Sequence, residues 1–315
     1  MPDRDCVTVL LPTYDEAATI GDCVDGFQAE GFDDILVMDG GSTDGTREIA
    51  EEHGARVETQ STTGKGEAVR EAVSNHVARE CVLMADGDGT YLAEDADRML
   101  EPLDEGYEHV IGNRFGNMEA GAMTRLNQIG NKLTNRLFAL IHGEELADIL
   151  SGYRAFTRAS FERLTLSADG FGIETEMAVE CVKRDIPTTV VPITYLERPA
   201  GSNTNLNPIR DGSIIFLELF RRAKTSNPLF YFGSVGLLSG LAGLLLAIFV
   251  TIEWFVYGVP HQVLALGGAA GILLGVQLLM FGVLSDLILT LHREQLDRIE
   301  AVADGGGSDV ERAGE

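Results

Sequence analysis

Short runs with β-branched residues recur at positions 7–11, 35–39, 56–59, 81–85, 109–112 and 188–192. Between them, apolar residues return every three or four positions over 17–30, 46–53, 66–77, 94–104, 125–141 and 173–184. Strands alternating with helices predict an α/β domain with a mostly parallel, Rossmann-like sheet covered by helices. Several of the runs end in Asp, Gly or Pro, which puts polar groups at the carboxyl edge of the sheet, where open α/β folds bind ligands.

The pattern changes past Ile193. Over 207–228, apolar Ile209, Ile214, Ile215, Phe216, Leu217, Leu219 and Phe220 stand beside Arg210, Arg221, Arg222 and Lys224, the composition of an interfacial amphipathic helix. Two apolar stretches follow at about 229–257 and 263–291, each longer than the roughly 20 residues that cross a hydrocarbon core. The short link at 258–262 makes them a hairpin with both flanks on one side of the membrane. Arg221, Arg222 and Lys224 before the pair, with His292 and Arg293 after it, predict that this side is the cytoplasm. Glu253 and Asp286 lie near the span ends and are expected to reach toward the headgroups. Residues 1–206 are then a cytosolic catalytic domain, 229–291 two transmembrane helices, and 292–315 an acidic cytosolic tail expected to lack order from Ala303.

Charge narrows the functional classes. The 315 residues carry 49 Asp and Glu against 24 Lys and Arg, a formal net charge of −25, which excludes a nucleic-acid footprint. Lysine is confined to Lys65, Lys132, Lys183 and Lys224, as in surfaces adapted to concentrated salt. Cys6, Cys23, Cys81 and Cys181 are scattered without metal-ligand spacing and read as small core residues of a reduced compartment. The opening Met1-Pro2-Asp3-Arg4-Asp5 has no apolar region of the kind a secretory signal needs.

The densest chemistry lies in Asp86-Gly87-Asp88-Gly89-Thr90, beyond the run 81–85. Two aspartates spaced i, i+2 with glycines between leave room for a diphosphate bridged by Mg²⁺ or Mn²⁺, although such a turn can also be only a solvated loop. Two further acidic strand ends accompany it, Pro12-Thr13-Tyr14-Asp15-Glu16 and the glycine-rich Asp39-Gly40-Gly41-Ser42-Thr43-Asp44-Gly45.

Over about residues 6–203 this set resembles the family-2 glycosyltransferases of GT-A fold, and in particular dolichyl-phosphate sugar synthases of the kind haloarchaea use for surface-glycoprotein N-glycosylation. The resemblance implies that Pro12, Tyr14 and Glu16 border the nucleotide and that Asp39 contacts the nucleoside; Gly40 stands where the family has a second aspartate. It implies that Asp86 and Asp88 hold metal and diphosphate, with Thr90 a candidate third ligand. Arg114, within Gly112-Asn113-Arg114-Phe115, is expected near an acceptor phosphate, and Arg125 could be a second guanidinium there. Asp148, Ser151 and Arg154, from Asp148-Ile149-Leu150-Ser151-Gly152-Tyr153-Arg154, are implied site residues, as are Glu174 and Glu176 near the sugar. Arg198 and Ser202 match a loop that closes over the diphosphate, although Asn203 stands where the family has a basic residue.

The implied activity is inverting transfer of a hexose from a nucleotide-sugar, UDP-glucose or a related UDP-hexose, to dolichyl or another polyprenyl phosphate at the bilayer, with oligomerisation open. A GDP-mannose donor, a processive or protein-directed transferase, and a non-catalytic membrane scaffold are the competing readings. The processive one lacks its Gln-Xaa-Xaa-Arg-Trp element, since the sole tryptophan is Trp254.

Overall fold

A computed structural model describes residues 2–168, 170, 172–199, 217, 220, 221, 223, 224 and 227–311. The chain divides into two compact units, residues 1–217 and 218–315. The expected amphipathic segment 207–228 lies largely outside the described residues; positions 217, 220, 221, 223 and 224 are helical.

The first unit is a seven-stranded sheet. Its strands are β1 (Val7–Thr13), β2 (Ile35–Asp39), β3 (Arg56–Thr59), β4 (Cys81–Met84), β5 (His109–Met118), β6 (Arg154–Thr157) and β7 (Thr188–Tyr195), in the order β3-β2-β1-β4-β6-β5-β7. All neighbours run parallel except β6, which is antiparallel to both β4 and β5. The helices are α1 (Ile20–Ala29), α2 (Thr46–Glu52), α3 (Lys65–Glu71), α4 (Ala96–Asp104), α5 (Arg125–His142), α6 (Arg158–Glu162) and α7 (Ile173–Lys183). β1 is buried along its whole length because helices cover both faces of the sheet. Alternate side chains serve the two layers. Val7, Val9 and Leu11 pack with Ile20, Val24 and Phe27 of α1 and Met99 and Leu100 of α4. Leu10 joins Val82 and Met84 of β4 against Val69 of α3 and Met177 of α7.

Register aligns the strand ends that matter. Thr13 pairs with Asp39 and Leu10 with Met84, so the loops after β1, β2 and β4 emerge side by side at the carboxyl edge. The order changes direction at β1, between β2 and β4, which makes this a topological switch point. The mostly parallel sheet matches expectation, but β6 and α6 were not anticipated, and β5 runs on past Gly112 to Met118.

The second unit contains α8 (Pro228–Tyr257) and α9 (Gln262–Glu311). Both are long and apolar enough to cross a membrane over Pro228–Tyr257 and Gln262–Leu291, with 11% of each hydropathy window buried. They meet through small residues: a Cβ on Gly243 would stand 2.6 Å from the Gly268 carbonyl, and one on Gly275 2.6 Å from that of Gly236. Ser239 Oγ donates to the Gly271 carbonyl at 3.0 Å. Close backbone approach of this kind is how helices associate without a hydrophobic driving force between them. Glu253 lies 3.6 Å from His261 in the link, so it finds a partner within the unit. α9 continues through Ala303 to Glu311.

Candidate active site

The first two loops are tied to each other. Asp15 N–H donates to Ser42 Oγ, Thr43 N–H to Asp15 Oδ1 and Glu16 N–H to Thr46 Oγ1, each at 2.9 Å. Asp39 is fully buried, and its carboxylate accepts from the Gly41 and Ser42 amides at 2.9 and 3.1 Å. It therefore shapes the glycine-rich loop from beneath. Tyr14 caps the same edge, half exposed, and a Cβ on Gly40 would come within 3.2 Å of its ring. Pro12 is buried within β1 and supports that turn from below.

After β4 the two aspartates meet one cation each. Arg198 bridges Glu16 Oε1, at 3.1 Å, and Asp88 Oδ2. Lys65, the first residue of α3, bridges Asp86 Oδ1 and Glu174 Oε1, the latter at 2.5 Å. Glu16, Asp86, Asp88, Glu174 and Arg198 thus belong to one set of charges at the switch point. Burial and the neighbouring Asp86 charge raise the Asp88 pKa, while Arg198 and Thr90 pull against the shift. For Lys65, burial opposes the charge but Asp86 and Glu174 outweigh it and hold the ammonium firmly protonated. Arg198 balances in the same way, burial being overcome by Asp88 and Glu16. Lys65 escaped the sequence reading. Its signal was a single lysine between Gly64 and Gly66 at a strand–helix junction, in a chain with only four lysines.

Thr90 is already engaged: its hydroxyl donates to Asp88 Oδ1 at 2.6 Å and its amide to the same oxygen at 3.1 Å. It orients Asp88. Asp86 Oδ2 faces Gly152, where a Cβ would stand 2.6 Å away, so only glycine leaves that oxygen its place. Among the described residues no group of three or more His, Cys, Asp or Glu side chains converges as a metal cage. Two hard carboxylates beside each other suit Mg²⁺ or Mn²⁺, which keep waters and share phosphate oxygens with the substrate.

Arg114 and Asp148 form a buried fork: Nε donates to Oδ2 and Nη2 to Oδ1, both at 2.8 Å, and the Arg114 amide adds a bond to Oδ2 at 3.1 Å. Asp148 overcomes the burial penalty on the guanidinium and raises its pKa further. The Arg114 guanidinium also lies over the Tyr195 ring at 5.4 Å, and Tyr195 meets Tyr91 with the rings tilted at 54°; the Tyr91 hydroxyl accepts from the Gly152 amide at 3.0 Å. Arg114 therefore borders the site, with Asp148 as its counter-ion.

Other expected site residues stand elsewhere. Arg154 is fully buried, its guanidinium donating to the carbonyls of Ser151 and Ile149 at 3.0 and 2.8 Å and lying 3.1 Å from His109 Nε2. It braces the 149–151 turn, because in β6 its side chain points into the protein. Ser151 is buried with its hydroxyl unpaired. Glu176 turns back to accept from the Ser167 and Ala168 amides at 2.8 and 2.7 Å. Arg125 is exposed at the start of α5, and Ser202 lies outside the described residues.

Known proteins are similar to this chain. A curated relative from Haloferax volcanii, named glycosyltransferase AglJ, is 66% identical over 300 residues, 95% of this chain and 99% of its own length. A dolichyl-phosphate hexose transferase of the same organism is 32% identical over 67% of this chain and 91% of its own. Among solved structures, glucosyl-3-phosphoglycerate synthase from Mycobacterium tuberculosis, in complex with Mn²⁺ and UDP-glucose, superposes with a TM-score of 0.57 at 23% identity, covering 69% of this chain and 78% of that one; the likeness is one of fold. Residues 8–165 match the family described as Glycosyl transferase family 2. With the strand-end acids assembled at the switch point of the sheet, these matches establish that the chain belongs to glycosyl transferase family 2 and is a glycosyltransferase.

Proposed function

We propose that this glycosyltransferase moves a hexose from a nucleotide-sugar, UDP-glucose or a related UDP-hexose, onto dolichyl or another polyprenyl phosphate, and that the product starts lipid-linked glycan assembly for protein N-glycosylation. One observation carries the reading: an ionic site built on Asp86, Asp88, Lys65 and Arg198 occurs in the same chain as two helices of bilayer length. A soluble acceptor would not call for such an anchor, whereas a phosphate on a polyprenyl chain stays at the membrane surface. The relative named dolichyl-phosphate hexose transferase supports the same acceptor class. The basic residues flanking the apolar pair support a cytoplasmic position for the catalytic unit.

A phosphate acceptor is anionic at neutral pH, so it needs alignment and charge relief more than a general base. The chemistry is displacement at the anomeric carbon with inversion: the acceptor oxygen forms the new bond as the bond to the nucleoside diphosphate breaks. Asp86 and Asp88 would hold the divalent cation, which supplies Lewis-acid stabilisation of the departing diphosphate. Lys65 and Arg198 add positive charge on the same side, and Tyr14 offers an exposed ring to the base. Arg114 and Arg125 are the acceptor-side guanidinium groups; Arg114 gives its Nε–Nη2 pair to Asp148 and contributes charge, so the paired donors that suit phosphate oxygens are those of Arg125. Holding both reactants in line supplies much of the acceleration.

The test is sugar transfer from radiolabelled UDP-glucose, UDP-N-acetylglucosamine and GDP-mannose, each supplied separately to the purified chain with dolichyl phosphate, Mg²⁺ or Mn²⁺ and molar salt. Organic-extractable label from a UDP-hexose, lost with EDTA, is the expected result. Label from GDP-mannose alone would make the protein a mannose synthase, and a folded protein that yields none would favour the scaffold.

A further inference from the structure

The two cations beside the Asp86–Asp88 pair are held in the same way. Lys65 stands between Asp86 and Glu174, and Arg198 between Asp88 and Glu16. Each cation thus touches one aspartate of the pair and one glutamate from a distant part of the chain. The contacts to the glutamates are made by Lys65 Nζ to Glu174 Oε1 at 2.5 Å and by Arg198 Nη1 to Glu16 Oε1 at 3.1 Å. Asp86 is 29% exposed at its side chain, whereas Glu174 and Glu16 are 5% and 11% exposed. An ion arriving from solvent therefore meets Asp86 before either glutamate.

Both glutamates are fixed by the backbone that carries them. The Glu16 amide donates to Thr46 Oγ1 at 2.9 Å, and its carbonyl accepts from the Thr19 and Ile20 amides at 3.1 and 3.0 Å. Glu174 lies in the first turn of α7, where the helix dipole favours a carboxylate, and Ile173 and Met177 on either side of it pack into the core. Lys65 and Arg198 are themselves sheltered, at 12% and 26% side-chain exposure, so water cannot fully stand in for a lost partner. A cation with a single carboxylate in such a place would be stranded once that carboxylate turned to a metal, and a buried charge without a partner is costly.

We propose that Glu16 and Glu174 are positioning residues that act on metal binding through Arg198 and Lys65: each glutamate retains its cation when Asp88 or Asp86 turns to a divalent ion. The aspartate is thereby released, and the ammonium and the guanidinium stay in the site with a counter-ion, beside the place of the departing diphosphate. The proposal rests on the reading of Asp86 and Asp88 as the metal pair and is independent of the sugar, the acceptor and the membrane. It gives the two glutamates a task other than direct contact with nucleotide or sugar. It also has a signature that a packing role lacks, because the effect of each glutamate on the metal depends on the presence of its cation.

Mn²⁺ titrated into the full-length chain in detergent and molar KCl, and followed by electron paramagnetic resonance, tests this without any sugar transfer. Glu174→Gln leaves Lys65 with Asp86 as its one carboxylate and is expected to weaken Mn²⁺ binding roughly tenfold, the effect of about one hydrogen bond to a charged group. Glu16→Gln is expected to do the same through Arg198. With Lys65→Met already in place, Glu174→Gln should change the affinity by less than about twofold, and Glu16→Gln likewise with Arg198→Met. An equal loss with and without the cation would overturn the proposal, since the glutamate would then act on the ion by its own charge or by packing. Unchanged or tighter binding by a folded Glu174→Gln or Glu16→Gln protein would overturn it for that glutamate. Should Glu174→Gln not fold in circular-dichroism melts, Glu174→Asp takes its place: it keeps the charge but draws it back from Lys65, so a smaller loss is expected and no loss would overturn the proposal. Asp86→Asn and Asp88→Asn separate the two levels. If they leave Mn²⁺ affinity unchanged, the metal reading fails and the proposal with it; if they abolish binding while the glutamate substitutions do nothing, the proposal alone fails.

Discussion

Replacing Lys65 with methionine separates two roles of one ammonium group. Lys65 contacts Asp86 and Glu174, and the Glu174 side chain is only 5% exposed. A divalent cation approaching Asp86 competes with that ammonium. A hydrogen bond to a charged group contributes about 1.5–3 kcal/mol, and Asp86 at 29% side-chain exposure belongs at the lower end of that range. Removing the competitor should tighten Mn²⁺ binding by roughly tenfold, at about 1.4 kcal/mol per decade. The same change leaves Glu174 buried without its cation, which costs about 3–5 kcal/mol of stability when one partner of a buried pair is deleted. Adding Glu174→Gln should restore most of that loss while keeping the tighter metal binding. The assay is a Mn²⁺ titration followed by electron paramagnetic resonance, with circular-dichroism melts of the same samples in detergent and molar KCl. Sugar transfer should fall in both variants, because Lys65 also faces the departing diphosphate. Unchanged or weaker Mn²⁺ binding by a folded Lys65→Met protein would refute the competition and the assignment of Asp86 to the metal.

Other perturbations read other parts of the account. Asp148→Ala strips the counter-ion from the buried Arg114 fork and should destabilise the protein by about 3–5 kcal/mol in denaturant melts, whereas Arg114→Met combined with Asp148→Leu should recover most of the stability but not the transfer activity. Gly152→Ala forces a Cβ to within 2.6 Å of Asp86 Oδ2, so the carboxylate must move; Mn²⁺ affinity should drop while the far-ultraviolet spectrum is retained. Burial, with Arg154 beside it, holds the His109 pKa well below its ordinary 6.5. The unfolded chain therefore takes up a proton that the folded one refuses, and stability present above pH 6.5 is lost as pH falls below it, by up to about 1.4 kcal/mol per unit. His109→Gln should flatten that part of the pH–stability profile, and parallel slopes for the two proteins between pH 6.5 and 5 would contradict the assignment.

The fold was legible in the sequence wherever a strand is buried on both faces. β2 falls at the expected residues, and β1 and β4 deviate only at their carboxyl ends, because uninterrupted apolar runs leave little choice of period; β3, also where expected, is polar and partly exposed and was legible only from the β-branched Val57 and Thr59. β6 was hidden: four residues beginning with arginine, directly after a Ser-Gly-Tyr turn, show no strand pattern, and only pairing with β4 and β5 makes them one. The acids of the site were legible as types at strand ends, but their partners were not. Arg114 meets Asp148 across 34 residues and Lys65 meets Glu174 from another helix, and no local rule joins such pairs. Arg154 illustrates the converse, since its motif fits a ligand-facing role while strand alternation turns its side chain into the interior, onto backbone carbonyls.

The central claim is transfer to a lipid phosphate, and acceptor competition tests it most directly. Release of nucleoside diphosphate from the donor is followed in parallel with polyprenyl phosphate, with the dephosphorylated polyprenol, with 3-phosphoglycerate and with no acceptor. The account predicts release well above background with polyprenyl phosphate alone, matched by sugar recovered in the organic phase. Release driven by 3-phosphoglycerate, or an equal response to polyprenol, would contradict it.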